Sequence, residues 1–114
     1  MSEIRIPPIG TLTDRVQLKR KVTSSEDEGG AVAVYSPIAT VWARVRQLGA
    51  RQAFESDARG QSVSHSVVMR FRTDLKAGDR ISYRGGDLTI ETSNDISGRR
   101  AYLACQCSEL AVTG

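Results

Sequence analysis

From Asp14 onward the chain alternates apolar and polar side chains with a period of two, and it does so again and again between glycine-bearing turns. Successive side chains of a strand point to opposite faces, so this period belongs to half-buried strands. Val16, Leu18 and Val22 face one way; Gln17, Lys19 and Lys21 face the other. Residues 31–36 read as a second strand. Pro37, which has no N–H to give to a ladder, interrupts it, and residues 38–48 read as a third. In that third run Val41, Ala43 and Val45 share one face, while Trp42, Arg44 and Arg46 share the other.

The pattern resumes over residues 62–72. Val63, His65, Val67, Met69 and Phe71 lie on one side, and Ser64, Ser66, Val68, Arg70 and Arg72 on the other. Residues 80–84 and 87–93 form a hairpin about Gly85-Gly86, a strong turn signal. Residues 99–108 close the sheet, with Ala101, Leu103, Cys105 and Cys107 inward. One stretch departs from this rhythm. Ala50, Ala53, Phe54, Asp57 and Ala58 have helical spacing, in a segment too short to hold a helix unaided.

These runs predict a mainly β fold: a small antiparallel β-barrel of six to seven strands with one short helix or long loop inserted. At 114 residues there is room for one core. Residues 1–12, with Pro7, Pro8 and Gly10, read as a flexible arm. Residues 13–108 are the barrel with its insertion at 49–62, and 109–114 are a short tail. No apolar run is long enough for a membrane span, and no apolar leader opens the chain, so no membrane is expected.

The net charge of +3, with a pI near 9.2, permits a nucleic-acid neighbour without demanding one. Its distribution says more. Arg44, Arg46, Arg51, Arg59, Arg70 and Arg72 crowd the middle of the chain, and Glu26, Asp27 and Glu28 share one turn. Strand arginines are either solvated positions that discourage edge-to-edge pairing, or cations facing a subunit or a phosphate backbone. Trp42 shares their face. It reads as core or core edge if that face is covered, and as an interface residue if the face is open.

Nothing in the chain composes a catalytic site. His65 is the only histidine and sits in an apolar row, Gly85-Gly86 lacks the helix and lysine of a phosphate loop, and no cofactor motif is present. Cys105 and Cys107 lie two apart on a strand and read as buried thiols, not as half of a metal site. An enzyme is not expected.

The order of these pieces carries a resemblance. A basic strand over residues 14–20 is followed by Asp27-Glu28-Gly29-Gly30, then Tyr35, then Ala39-Thr40-Val41-Trp42-Ala43-Arg44-Val45. Next come the helix-like segment, the strand Ser64 to Arg72, the turn Gly78-Asp79-Arg80-Ile81 and the strand Arg99 to Cys105. Over residues 10–108 the chain resembles the head–tail joining (head closure, or stopper) proteins of tailed bacteriophages and gene transfer agents.

The resemblance implies a barrel that forms a ring of six or twelve copies in the particle neck. Portal and adaptor proteins would lie above it and a tail terminator or tail tube below, with double-stranded DNA held non-specifically in the channel. The protein would assemble in the bacterial host cytoplasm and end in the virion. In such proteins a long loop projects from the barrel and closes the channel. Here that loop maps to 49–62, with Arg51, Gln52, Glu55, Arg59 and Gln61 as its carriers, though a surface excursion covering a barrel end reads equally well. Trp42, Arg44, Arg46, Arg70 and Arg72 with Glu26, Asp27 and Glu28 are the expected subunit or partner contacts. Alternatives are a nucleic-acid-binding barrel of the OB type, short of the aromatic platforms that single strands stack on, and another neck ring such as a tail terminator.

Overall fold

Six antiparallel strands close on themselves in the order β1-β2-β3-β6-β5-β4. They are β1 (Asp14–Ser25), β2 (Ala31–Gln47), β3 (His65–Arg70), β4 (Arg80–Tyr83), β5 (Gly86–Asp95) and β6 (Tyr102–Glu109). The computed structural model describes residues 12–25, 31–49 and 63–109. The expected arm up to residue 11, the acidic turn, the insertion from 50 to 62 and the tail from 110 fall outside them.

The chain makes one strand where Pro37 suggested two. β2 runs unbroken for 17 residues. Leu18 pairs with Ala39 and Lys19 with Pro37, so Ile38 is an extra residue opposite no partner. The proline thus stands beside a bulge, where the ladder is already disrupted and its missing N–H costs little. Residues 99–101 differ as well. β6 begins only at Tyr102, Ala101 is exposed, and Arg100 takes a positive φ of 56° while its N–H donates to the Asp95 carboxylate at 2.9 Å. The β4–β5 hairpin turns on Arg84-Gly85, both at positive φ, with Gly86 already paired to Tyr83. That is the two-residue geometry whose twist suits flanking strands.

Inward residues of all six strands fill the barrel. Val16, Leu18, Val67, Met69, Ile81, Ile90, Cys105 and Cys107 are sealed from solvent, and Leu75 from the β3–β4 connection packs against them. Outside the barrel, Val68, Ile96 and Ala104 make a second cluster with Tyr102, covering part of the β3–β6 outer surface.

Two carboxylates tie β1 to the barrel, at its start and at Lys21. Asp14 accepts from Val45 N–H at 2.9 Å and from the Tyr83 hydroxyl at 3.2 Å. Buried Asp79 accepts from the N–H groups of Lys21 and Lys76, each at 2.9 Å. Beyond that anchor, β1 and β2 leave the barrel. β1 pairs with β4 only over Gln17–Lys19, and β2 with β3 only over Ala43–Gln47. Residues 20–25 and 31–36 therefore have only each other as strand partners among the described residues. This two-stranded ribbon leaves from one end of β2, while the connection to β3 leaves from the other.

Candidate functional site

The outer face of β1, β2 and β3 gathers the cations. Trp42 lies opposite Arg15 across the β1–β2 ladder, and the Arg15 guanidinium sits over the indole at 5.7 Å from its centre. Arg44 is opposite Val68, Arg46 opposite Ser66, and Arg70 opposite Tyr102. Period two puts these side chains together on the side away from the core. Trp42 is 56% exposed, which removes the reading of it as core or core edge. Among the described residues its strand is covered on the inner face alone. Arg15, Arg46 and Arg70 are exposed too, and Arg44 is half-buried. Among the described residues none of these four arginines has an acidic partner.

Arg72 is different. Its Nε and Nη2 donate to the two oxygens of Asp74 at 2.9 and 2.8 Å. This fork holds the Asp74 carboxyl below its ordinary range and raises Arg72. Arg72 is thereby spent on its own loop, whereas Arg70 has no acidic partner among the described residues. Glu26, Asp27 and Glu28, and Arg51, Gln52, Glu55, Arg59 and Gln61, lie outside the described residues.

Beside Trp42 the sheet opens. The β2–β3 ladder ends at Ala43 and Met69, and the two strands diverge from there. Between them is a cleft of about 440 Å³, lined by Leu12, Val41, Trp42, Met69 and Phe71 with Arg70 among its walls. The cleft thus sets an apolar floor beside a half-exposed indole and Arg70, which has no acidic partner among the described residues.

Reading the chain alone missed Arg15 as the partner of Trp42, although Arg15 has the outward parity of β1. It also missed Asp79, whose burial depends on backbone N–H groups brought from Lys21 and Lys76. The single histidine serves structure. Ser64 Oγ is 2.9 Å from His65 Nδ1 and accepts from Glu109 N–H at 2.8 Å, fastening the end of β6. Cys105 and Cys107 are free and buried; burial pushes the Cys105 thiol up to about 12 and raises Cys107 further. Both stay protonated and inert at neutral pH.

Comparison with known proteins places this barrel. The family profile described as phage head completion protein matches residues 7–110. A protein of Shigella flexneri 2a, solved in solution, is 25% identical, aligned over 91% of this chain and 97% of that one with a TM-score of 0.72. A chain of the virion of a native gene transfer agent particle shares the fold at 14% identity, over 84% of this chain and 93% of that one, with a TM-score of 0.57. No curated protein matches the chain.

Proposed function

The chain belongs to the phage head completion protein family, a structural component of the particle head, and from that premise we propose that it forms a ring in the neck. There it holds packaged double-stranded DNA inside the head and presents a docking surface for the tail. The observation that carries this reading is the outward face of Trp42 with Arg15, Arg44, Arg46 and Arg70. This face is exposed on the outside of the barrel, where it can serve as a contact surface.

Each part of the reading has a physical basis. A small barrel with distinct surfaces can make side-by-side heterologous contacts, and these close into a ring when the rotation fits. Six or twelve copies is the order we propose. Arginine suits both neighbours such a ring has, because its planar fork pairs with carboxylates of protein and with phosphates of DNA. DNA must pass and then stay, so its contacts are to phosphate and are not base-specific. Portal and adaptor proteins would sit above the ring, and a tail terminator or tail tube below. Assembly begins in the host cytoplasm and ends in the particle. The gate falls to the 49–62 connection, with Arg51, Gln52, Glu55, Arg59 and Gln61.

Electron microscopy of particles from the source strain with this gene deleted tests the proposal. DNA-leaking or empty heads beside separate, complete tails are expected. Intact, tailed, DNA-filled particles would remove the neck role. Deleting residues 51–60 should leave a folded barrel and particles that lose DNA. Normal retention in that variant would move the gate elsewhere.

A further inference from the structure

The outward side of β1 carries a row of cations, Arg15, Lys19 and Lys21, with Arg80 of β4 alongside. Gln17 and Lys19 lie opposite Ser82 and Arg80 across the β1–β4 ladder, and the core residues Leu18 and Ile81 pair between them. Period two puts Arg15 and Lys21 on the same side as Lys19. Lys21 is opposite Tyr35 of β2, and the Arg80 guanidinium lies 3.8 Å from the centre of the Tyr35 ring although β1 runs between their strands. Tyr35, Lys21, Lys19 and Arg80 therefore share one face. From Arg15 to Lys21 the row is about 20 Å long at the usual rise.

This face is short of counter-charge. Lys19 stands directly opposite Arg80, and like charges so placed repel each other across a ladder. Among the described residues the one ion-pair contact of these four cations is that of Arg80 with Asp87, at 3.9 Å. The Asp87 carboxylate already accepts from the Ser82 hydroxyl at 2.6 Å.

We propose that this side of β1 is a track for the phosphate backbone of double-stranded DNA, with Arg15, Lys19, Lys21 and Arg80 as its cations. This rests on the reading that the chain surrounds packaged DNA, and it names the strand that faces the duplex. The make-up of the row favours a nucleic-acid backbone over an acidic protein. Its members on β1 are Arg15, Gln17, Lys19 and Lys21, with the hydroxyls of Thr40 and Ser82 on either side of Gln17, and none of these is aliphatic. Protein interfaces have apolar cores, whereas phosphates are held by this mixture of cations, amides and hydroxyls. The aromatics favour a duplex over a single strand. Arg15 lies over the Trp42 ring and Arg80 over the Tyr35 ring, so this chain's own arginines take ring faces on which bases would stack. Contacts of this kind position DNA without reading its sequence.

Titration of a short fluorescent duplex with the purified chain, followed by anisotropy across a salt series, tests the track. Binding is expected to weaken with salt at a log–log slope of about −3.5, for four phosphates, whatever the duplex sequence. Lys19→Gln with Lys21→Gln should flatten that slope by about 2 and weaken low-salt binding at least about tenfold. Arg44→Gln with Arg46→Gln removes the same charge from β2 and should leave the slope unchanged. Both variants should melt with the unaltered chain, since none of these side chains is in the core. Equal flattening by the two pairs would assign the binding to net charge and overturn the proposal. No duplex binding at low salt, or tighter binding of poly-glutamate or of a single strand, would overturn it as well. Particles separate this failure from failure of the neck role. The Lys19→Gln, Lys21→Gln chain, supplied to the gene-deleted strain, should give heads that retain less DNA. Full rescue by that variant would overturn the track and leave the neck role standing, whereas intact particles from the deletion itself would overturn the neck role.

Discussion

Val67 on β3 and Val34 on β2 are the same side chain in the same alternating pattern, yet one is fully buried and the other is 51% exposed. The difference lies in their neighbours. Val67 is flanked by a paired strand on each side, with Val45 opposite it on β2 and Cys105 on β6. Val34 has Val22 on one side and no strand on the other among the described residues. Alternation decides which way a side chain points. The number of strands beside it, and what lies beyond the face, decide whether it is covered. Among the described residues the barrel wall is therefore a buried region and the ribbon an exposed one, although both are written in the same residues.

Substitutions sharpen that contrast, beginning with the wall. Met69 is sealed at the centre of β3, so Met69→Ala should cost about 2–5 kcal/mol in urea unfolding. Val22→Ser on the ribbon should change stability by no more than about 0.5 kcal/mol. Equal losses at both sites would erase the distinction.

The hinge between the two regions is Asp79. Asp79→Ala leaves the N–H groups of Lys21 and Lys76 without their acceptor, which should cost about 2–3 kcal/mol. Hydrogen exchange should speed up at the Lys21 amide more than at the Val67 amide. Uniform acceleration would show that the carboxylate supports the whole barrel and not the ribbon base. A smaller clamp acts nearby, where the Arg80 guanidinium stacks 3.8 Å from the centre of the Tyr35 ring. Tyr35→Ala should cost about 1 kcal/mol, with Tyr35→Phe nearly neutral. A large loss in the phenylalanine variant would point to the hydroxyl instead.

The smallest effect is acid-dependent. Hydrogen bonding from Arg72 holds the Asp74 carboxyl below its unfolded value of 3.8. A depressed carboxylate contributes its full stability above that value and loses it as pH falls through the lower folded value. Both partners are partly exposed, which keeps the contribution to a fraction of a kcal/mol by the usual standard of surface pairs. Asp74→Asn should lower the melting temperature slightly at pH 6, and by progressively less as pH falls below 3.8. A gap that does not shrink with falling pH would assign the effect to packing.

Much of this was legible in the chain. The strands begun at 14, 80 and 87, the core of the expected 62–72 strand (His65–Arg70), the inward row of Val67, Met69 and Cys105, and the shared face of Trp42, Arg44, Arg46 and Arg70 all follow from period two. The family resemblance drawn from the order of the segments is met by the match over residues 7–110. What escaped depends on partners distant in sequence. Pro37 reads as a break because a bulge is visible only once Leu18 and Lys19 are laid opposite Ala39 and Pro37. Trp42 reads as core or as interface according to whether its face is covered, and only the path of β2 along the barrel shows that face exposed. Arg72 groups with Arg70 by parity, but leaving β3 lets it fold back onto Asp74.

The most direct test of the account is complementation of a gene-deleted source strain with the chain carrying Trp42→Ala and Arg70→Glu, scored by electron microscopy. On the proposed reading the outer face carries the function and the inner face the fold, so the purified variant should melt within a few degrees of the unaltered protein. The complemented strain should still yield leaking heads and unattached tails. Normal numbers of tailed, DNA-filled particles from that strain would contradict the claim that this face is where the protein joins its neighbours.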